Sequence, residues 1–525
     1  MKPTGRLPAR LARNTAFVVA GRLWYVVVWF AITPFVLRHL GVERFGVWSL
    51  LFLLSGYLAT FDLGLGASIV KFTAEHSARS HWDQLKGVLA SILRLYSWIG
   101  LAWIAVMFAI HPLLLHSLKI PPALQPEVRF AILTSVVIFA LANLVNIGPG
   151  VLNGLQRMGL ANGILIASSL PQMILLVLGL RAGYGLYAAV VSTAAQWATV
   201  GLGSWWALRR VAPQLSWPSF RGSDAPGGWF RFSAVMQINN AIALSQQQVD
   251  KLLLASWVGL RSVANFELGF RVANGIQSLP ILALGPLLPV FSDLHAQQDQ
   301  RRFALLWRHG SRLLCSASVL LGVCVVPVAG WLIRAWVGPG YPVAERLAAW
   351  LLVGFAINLG TGVASAASRG AGRPGMEVVP GLVGLVLHVV ASVILLPLRG
   401  ESGVGPAFVL GMSATALCYL AAFSRWVRES FWGVLASFWA QPAVCAVPAL
   451  ATALLLSGRV PLGWLGHRAG LLAGSSLVVA GSAIVFLSVW LLLESRRAAS
   501  VWTVLRGVAP SAAGTEEHST SARSA

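Results

Sequence analysis

The sequence predicts an all-α polytopic membrane protein of about 14 transmembrane helices, built as two parallel six-helix repeats plus two additional C-terminal helices. Three observations carry this. Hydrophobic residues make up 57% of the 525 and charged ones only 11%, against about 25% charged in an ordinary soluble domain, so a soluble fold is excluded. About fourteen windows are long enough, at roughly 20 apolar residues each, to cross a bilayer core of about 30 Å. Finally, segments return at a nearly constant offset. Leu40-Gly41-Val42 returns as Val258-Gly259-Leu260, and Gly185-Leu186-Tyr187-Ala188-Ala189 as Gly403-Val404-Gly405-Pro406-Ala407. Gly154-Leu155-Gln156-Arg157-Met158-Gly159 returns as Gly370-Ala371-Gly372-Arg373-Pro374-Gly375, and Arg94 and Arg312 lie 218 residues apart.

The windows lie near residues 14 to 37, 45 to 70, 86 to 111, 129 to 152, 160 to 180 and 184 to 207 in the first half. In the second they lie near 230 to 256, 263 to 291, 309 to 337, 345 to 368, 376 to 397 and 403 to 424. Six crossings return the chain to its starting side, so two such halves share one orientation and are related by an axis along the membrane normal. Residues 1–207 form the N-terminal bundle, 208–228 a basic linker rich in Pro, Ser and Gly, and 229–425 the C-terminal bundle. Spans near 433 to 457 and 469 to 493 have no counterpart in the repeat and no ionisable residue in their interiors. They read as a lipid-facing appendix within residues 426–494. Residues 495–525 turn to Ala, Ser, Thr, Gly and Glu and read as a disordered cytoplasmic tail.

The formal net charge of +22 and pI of 11.3 follow a positive-inside distribution rather than a nucleic-acid surface. With the N-terminus inside, about 23 Lys and Arg fall in cytoplasmic segments, about 11 in external loops and about five within spans. Lys2, Arg6, Arg10 and Arg13 precede the first span, and Arg209, Arg210, Arg221 and Arg231 crowd the stretch after the sixth span. Both termini are therefore placed in the cytoplasm, and nucleic acid is not a partner. The first apolar stretch lacks a small-residue cleavage site and reads as a retained helix. Cys315, Cys324, Cys418 and Cys445 lie in apolar spans without metal-ligand spacing and read as packing residues.

Ionisable side chains inside spans cost about 2.5 to 3.5 kcal/mol each on insertion scales, so those retained are the functional candidates. They are Arg22, Asp62, Arg94, Asp250, Lys251, Glu267, Arg271 and Arg312. Glu267, Arg271, Asn274 and Ser278 follow i, i+4, i+7 and i+11, one polar stripe on one helix. Glu267 and Arg271 at that spacing also make an ordinary structural pair. The preceding span is more polar still, with Gln237, Asn239, Asn240, Ser245, Gln246, Gln247, Gln248, Asp250 and Lys251. Asp250 and Lys251 sit near its outer end, where snorkelling to the interface competes with a cavity role. Asn240, Gln247, Lys251 and Asn274 are read as cavity lining, in preference to interhelical amide bonding worth about 0.6 to 2 kcal/mol per contact.

Arg22, Arg94, Arg271 and Arg312 are read as the cationic cavity that binds substrate, because a guanidinium keeps its charge when desolvated and grips phosphate in bidentate fashion. An anionic, phosphorylated substrate follows. Asp62, Asp250 and Glu267 are candidates for ion coupling, since a carboxylate in a low-dielectric cavity can change protonation as access alternates. Pro280, Gly285, Pro286 and Pro289 mark the eighth span as the bending helix. No His-Glu-x-x-His, Gly-x-x-x-x-Gly-Lys-Ser/Thr or Cys-x-x-Cys pattern occurs, so no enzyme chemistry, ATP-driven step, cofactor or metal is expected.

The chain resembles the Wzx-type polysaccharide transporters of the multidrug, oligosaccharidyl-lipid and polysaccharide exporter superfamily. The resemblance rests on Leu40-Gly41-Val42-Glu43-Arg44-Phe45-Gly46, on Phe61-Asp62-Leu63-Gly64-Leu65-Gly66 leading to Lys71, and on Asp250-Lys251 with Val258-Gly259. It continues through Phe266, Phe270-Arg271, Leu288-Pro289 and Ser292, and covers about the first 425 residues. Phe266 stands where the family usually has Tyr, and Lys71 where it often has Arg. The resemblance implies a V-shaped pair of six-helix bundles around a central cationic cavity, in a bacterial inner membrane. It further implies alternating access for a polyprenyl-diphosphate-linked oligosaccharide of O-antigen, capsule or exopolysaccharide type. Membrane lipids and the pathway's glycan polymerase or glycosyltransferases are the other partners it brings to mind. A peptidoglycan-precursor flippase shares the fold and the diphosphate. A drug or cation antiporter would want an acidic cavity, and a membrane polymerase or ligase a large external loop.

Overall fold

The computed structural model describes residues 6–60, 65–215, 229–281, 284–459 and 467–494. Among them the chain forms α-helices and short 3-10 turns, with no strand. In order these are α1 (Arg6–Thr60), α2 (Leu65–Ala78), α3 (Trp82–Ser117), α4 (Gln125–Val145), α5 (Ile147–Gly154), α6 (Met158–Arg181) and α7 (Gly185–Val211). There follow α8 (Trp229–Trp257), α9 (Leu260–Ile281), α10 (Leu287–Ala296), α11 (Gln300–Val325), α12 (Ala329–Val337), α13 (Pro342–Leu359) and α14 (Gly362–Gly370). The last are α15 (Val378–Arg399), α16 (Val404–Trp426), α17 (Phe431–Arg459) and α18 (His467–Glu494). α1 joins two predicted spans across Gly41, whose φ of 75° lies outside the helical region.

The surface shows what solvent the bundle is built for. α3 buries Leu85, Val88, Leu89, Ile92, Leu93 and Tyr96, spaced along one helical face. Its other side presents Trp98 at 71% exposure and Leu113 at 65%, and Leu398 and Leu492 elsewhere reach 74% and 77%. Large apolar side chains so exposed, over so many helices, are paid no penalty only in a hydrocarbon solvent. Eight stretches among the described residues are long and apolar enough to cross a membrane, and one of them, Pro374–Trp426, contains both α15 and α16. The protein is a multi-pass membrane protein. α7, α8 and α9 fall outside those stretches although α7, at 27 residues, is about 40 Å long. In α8 and α9 the reason is polarity: they carry the amides and charges of the site described below.

The same packing occurs in both parts of the chain. α6 lies on α7 and α15 on α16; α2 lies on α5 and α10 on α14; α3 meets α4 as α11 meets α13. Two glycines of the recurring sequence segment explain one of these pairings. A Cβ on Gly154 would sit 2.5 Å from Thr73 Cβ and 2.8 Å from the Val70 carbonyl. A Cβ on Gly370 would sit 2.8 Å from Phe291 Cβ and 3.0 Å from the Leu288 carbonyl. Each glycine thus lets a short helix lie directly against its neighbour. The eighth predicted span divides between α9, which ends at Ile281 with Pro280 inside it, and α10, which begins after Pro286 and contains Pro289.

α17 and α18 expose apolar side chains such as Val447, Leu455, Ile484 and Leu492 and also pack on the second half of the chain. α17 packs on α11, and α18 on α12 and α11. Glu494, one residue past the predicted last span, is buried; it accepts a 2.8 Å hydrogen bond from Gln441 Nε2 and lies 3.8 Å from Arg312. Cys315, Cys324 and Cys445 are buried and none of the four cysteines is paired, in keeping with packing residues.

Candidate functional site: a charged cluster where α1 meets α8 and α9

The polar stripe read along α9 converges with α8 and α1 on one carboxylate. Lys251 Nζ lies 2.6 Å from Glu267 Oε2, and Arg271 Nε donates to Glu267 Oε1 at 2.5 Å. Ser49 Oγ of α1 donates to Oε2 at 3.0 Å. The i, i+4 spacing places Arg271 one turn from Glu267 on the same face, and Lys251 reaches it from the end of α8. Arg271 also crosses to α1, donating from Nη1 to Thr33 Oγ1 at 2.6 Å. Its guanidinium lies 5.9, 5.6 and 5.2 Å from the ring centres of Trp29, Phe45 and Trp48, within the range at which an aromatic face attracts a cation. Two cations on one carboxylate leave the cluster with a formal charge of +1.

Lys251 and Glu267 keep only 3% and 7% of their side-chain surface exposed, and Arg271 15%. Burial at this level excludes snorkelling for Lys251. The cluster borders a cavity of about 270 Å³ whose walls include Trp29, Phe30, Phe52, Gln248, Phe270 and Asn274. Phe30 stacks on Trp336 of α12 with ring centres 4.1 Å apart, and Trp336 Nε1 donates to the Phe30 carbonyl at 2.7 Å. α1 is thereby fastened to the second half of the chain at two levels.

α8 divides its polar residues between two faces, which sequence reading treated as one. Gln248 and Lys251 face the charged cavity. On another face Asn239 donates to the Pro374 carbonyl at 2.9 Å, and Gln246 donates to the Gly381 carbonyl at 3.0 Å and to Thr415 at 2.6 Å. Interhelical amide bonding, set aside at the sequence level, is thus present alongside the cavity. Asn274 lines the charged cavity and Asn240 a separate one. Gln247 lines neither of those two; its neighbours Gln246 and Gln248 do.

Asp250 is completely buried and turned away from the charged cavity. His388 Nε2 on α15 lies 3.0 and 3.1 Å from its two oxygens, and Ser392 Oγ donates to it at 3.1 Å. Snorkelling is excluded for Asp250 as well. His388 was missed in the sequence, where a single histidine in an apolar helix looks like core; its partner Ser392, one turn on, was the available signal.

The expectation that Arg94 and Arg312 share a cavity with Arg271 is not met. Arg312, 20% exposed, lies toward Glu494 of α18, and α11 sets it there because that face packs on α17 and α18. Arg94 is half-buried on α3, with Nη2 donating to Ser91 Oγ at 3.3 Å, and lines neither cavity. Asp62 and the side chain of Arg22 lie outside the described residues. No group of three or more His, Cys, Asp or Glu able to hold a metal occurs among the described residues.

A long-helix membrane bundle with buried charges at a junction of helices defines the transporter class of architecture. Solved structures agree on the fold. An inward-facing multidrug resistance MATE family transporter of the MOP superfamily aligns with a TM-score of 0.62 at 14% identity, covering 80% of this chain and 95% of that one. The lipid II flippase MurJ in an inward closed conformation aligns with a TM-score of 0.65 at 12% identity, covering 89% and 98%. The family model for polysaccharide biosynthesis proteins matches residues 11–295, and the chain belongs to that family. Among curated relatives, a putative O-antigen transporter of Shigella flexneri is 22% identical over 335 residues, 62% of this chain and 76% of the relative. An uncharacterised membrane protein, EpsK, of Bacillus subtilis is 22% identical over 409 residues, 75% and 77% respectively.

Proposed function

We propose that the protein is a flippase that moves a polyprenyl-diphosphate-linked oligosaccharide from the cytoplasmic to the outer leaflet of a bacterial inner membrane by alternating access. The observation that carries the reading is the pairing of Lys251 and Arg271 on Glu267 beside a cavity between α1 and the α8–α9 pair. In the unloaded site Glu267 is the internal anion that makes two buried cations tolerable. A diphosphate competes for the same two cations, Arg271 offering a bidentate fork and Lys251 a point charge. That competition draws on the Ser49–Glu267 and Thr33–Arg271 bonds, which also fasten α1 to α9. Occupancy and opening at this junction are thereby linked, while the polyprenyl chain stays in lipid.

The arrangement proposed with it has two six-helix halves of the same orientation, 14 spans in all and both termini in the cytoplasm. The recurring helix pairings and the positions of Gly154 and Gly370 favour the repeat. With the cytoplasm negative, each uncompensated negative charge carried outward gains about 2.3 kcal/mol per 100 mV. The protein's task is then to lower a barrier, with no nucleotide consumed. A cavity holding two cations against one carboxylate disfavours a drug-cation antiporter. A lipid II substrate would use the same diphosphate chemistry and differs in the sugar. Asp250, closed off with His388 and Ser392, is the carboxylate proposed for proton coupling, since Glu267 is already held by two cations.

The test in cells is a deletion strain. It is expected to accumulate the lipid-linked oligosaccharide on the cytoplasmic leaflet and to lose the surface polysaccharide, both restored by the wild-type gene. Unchanged leaflet distribution in a strain with no second flippase contradicts the proposal.

A further inference from the structure

A second cavity, of about 290 Å³, lies wholly within the second half of the chain. It sits between α8, α9, α13, α14, α15 and α16 and differs from the first in kind. Asn239, Asn240, Gln246, Gln277 and Asn358 bring five neutral amides to its wall, of which Gln246 is already bonded to Gly381 and Thr415. Its one ion pair is self-contained: Arg369 donates to Glu377 through both Nε at 2.8 Å and Nη2 at 2.6 Å, and Ser365 Oγ adds a 2.6 Å bond to the same carboxylate. Formal charge at the wall is therefore balanced.

The remaining amides are available to an occupant. Asn239 is 93% buried, from a relative exposure of 7%, and its Oδ1 has no hydrogen-bond partner among the described residues. A buried amide oxygen left in that condition carries a desolvation penalty that a ligand hydroxyl relieves. The side chains of Asn240, Gln277 and Asn358 likewise make no hydrogen bond to described residues. Ile242, Ile281, Pro380 and the ring of Tyr419 complete the wall, giving it apolar faces beside polar ones. Such a lining suits a flat, hydroxyl-rich, uncharged molecule with one apolar face, and the volume is at the small end of ligand pockets, about 300 to 1,000 Å³.

We infer that this cavity is a saccharide site, holding one or two uncharged sugar rings of the transported molecule and selecting for their hydroxyl pattern. The inference rests on the flippase reading. Gln248 at the charged cavity and Asn240 at this one lie eight residues apart on α8, about 12 Å along the helix. A diphosphate in the first cavity and sugars in the second are then parts of one extended ligand. Charge is read at one place and hydroxyls at the other.

The test uses full-length protein and the double variant Gln277→Leu/Asn358→Leu. Leu has the branched shape of Asn and one atom fewer than Gln, and neither amide side chain is hydrogen-bonded to a described residue, so folding is expected to be retained. In liposomes, two probes are compared: bare polyprenyl diphosphate, and the same lipid carrying the oligosaccharide isolated from the source cells. The variant is expected to move the glycosylated lipid at least tenfold more slowly while moving the bare lipid at the wild-type rate. Equal slowing of both lipids, or of neither, overturns the inference. A second arm measures binding of the released, lipid-free oligosaccharide to detergent-solubilised protein. Tenfold weaker binding by the variant, about 1.4 kcal/mol, supports the site, and equal binding overturns it. Should the wild type move neither lipid, the flippase reading fails, and the site stands or falls on this binding arm alone.

Discussion

Ser49 donates a 3.0 Å hydrogen bond to Glu267, and the two residues stand 218 positions apart, the offset at which segments recur in the sequence. On the proposed two-repeat arrangement they are equivalent positions, and they touch where α1 crosses α9. The crossing is close: a Cβ on Gly46 would fall 2.3 Å from the Leu260 carbonyl oxygen. The symmetry is broken in chemistry at that point. One repeat supplies a hydroxyl and the other a carboxylate with two cations on it.

Removing the carboxylate should be more damaging than removing the hydroxyl. Glu267→Gln leaves Lys251 and Arg271 buried without their counter-charge, and breaking a buried pair from one side costs about 3 to 5 kcal/mol. Ser49→Ala removes one hydrogen bond to a charged group, about 1.5 to 3 kcal/mol. Thermal unfolding in detergent should rank the variants wild type, Ser49→Ala, Glu267→Gln. A Glu267→Gln protein as stable as wild type contradicts the geometry.

Arg271 is expected to be needed for transport more than for insertion. Arg271→Ala should lower surface glycan at least tenfold at equal membrane abundance. Arg271→Lys should restore only part, because it keeps the charge but cannot bond Glu267 and Thr33 through a planar fork. Normal glycan in the Ala variant removes Arg271 from the substrate site.

Arg312 should behave differently. Its contact with Glu494 is 3.8 Å long, against 2.6 Å for Lys251 with Glu267, so a double-mutant cycle of Arg312→Ala and Glu494→Gln should give a smaller coupling than one of Lys251→Met and Glu267→Gln. Transport per molecule should change little. A tenfold loss of transport at unchanged abundance in Arg312→Ala would restore it to the substrate pathway.

Asp250→Asn removes the proposed proton-carrying carboxylate while keeping its shape. Transport by this variant in proteoliposomes should no longer respond to an imposed pH gradient, whereas wild type should. An unaltered response excludes Asp250 and its partner His388 from coupling.

Much of this was legible before the structure. The i, i+4 spacing of Glu267 and Arg271 fixed their shared face, and the recurring glycines marked close helix contacts. What periodicity could not supply was the identity of the neighbour. Each residue turns the helix by about 100°, so a run such as Ser245-Gln246-Gln247-Gln248 has a member toward every side, and only packing shows that Gln246 meets Thr415 while Gln248 meets the charged cavity. Arg94 and Arg312 lie 218 residues apart in the sequence but differ in surroundings, Arg312 of α11 lying toward Glu494 of α18 and Arg94 of α3 donating to Ser91. His388 was hidden for the converse reason: its meaning depends on Asp250, 138 positions away.

The central claim is that Lys251 and Arg271 carry a lipid diphosphate across the bilayer without nucleotide. It is tested most directly by reconstituting purified protein in liposomes and timing the appearance of a polyprenyl-diphosphate oligosaccharide in the opposite leaflet. Wild type should translocate it with no ATP present, and the double variant Lys251→Met/Arg271→Ala should be slower by at least tenfold once matched for folded protein. Wild-type movement no faster than in protein-free liposomes, or equal rates for wild type and the double variant, would contradict the account.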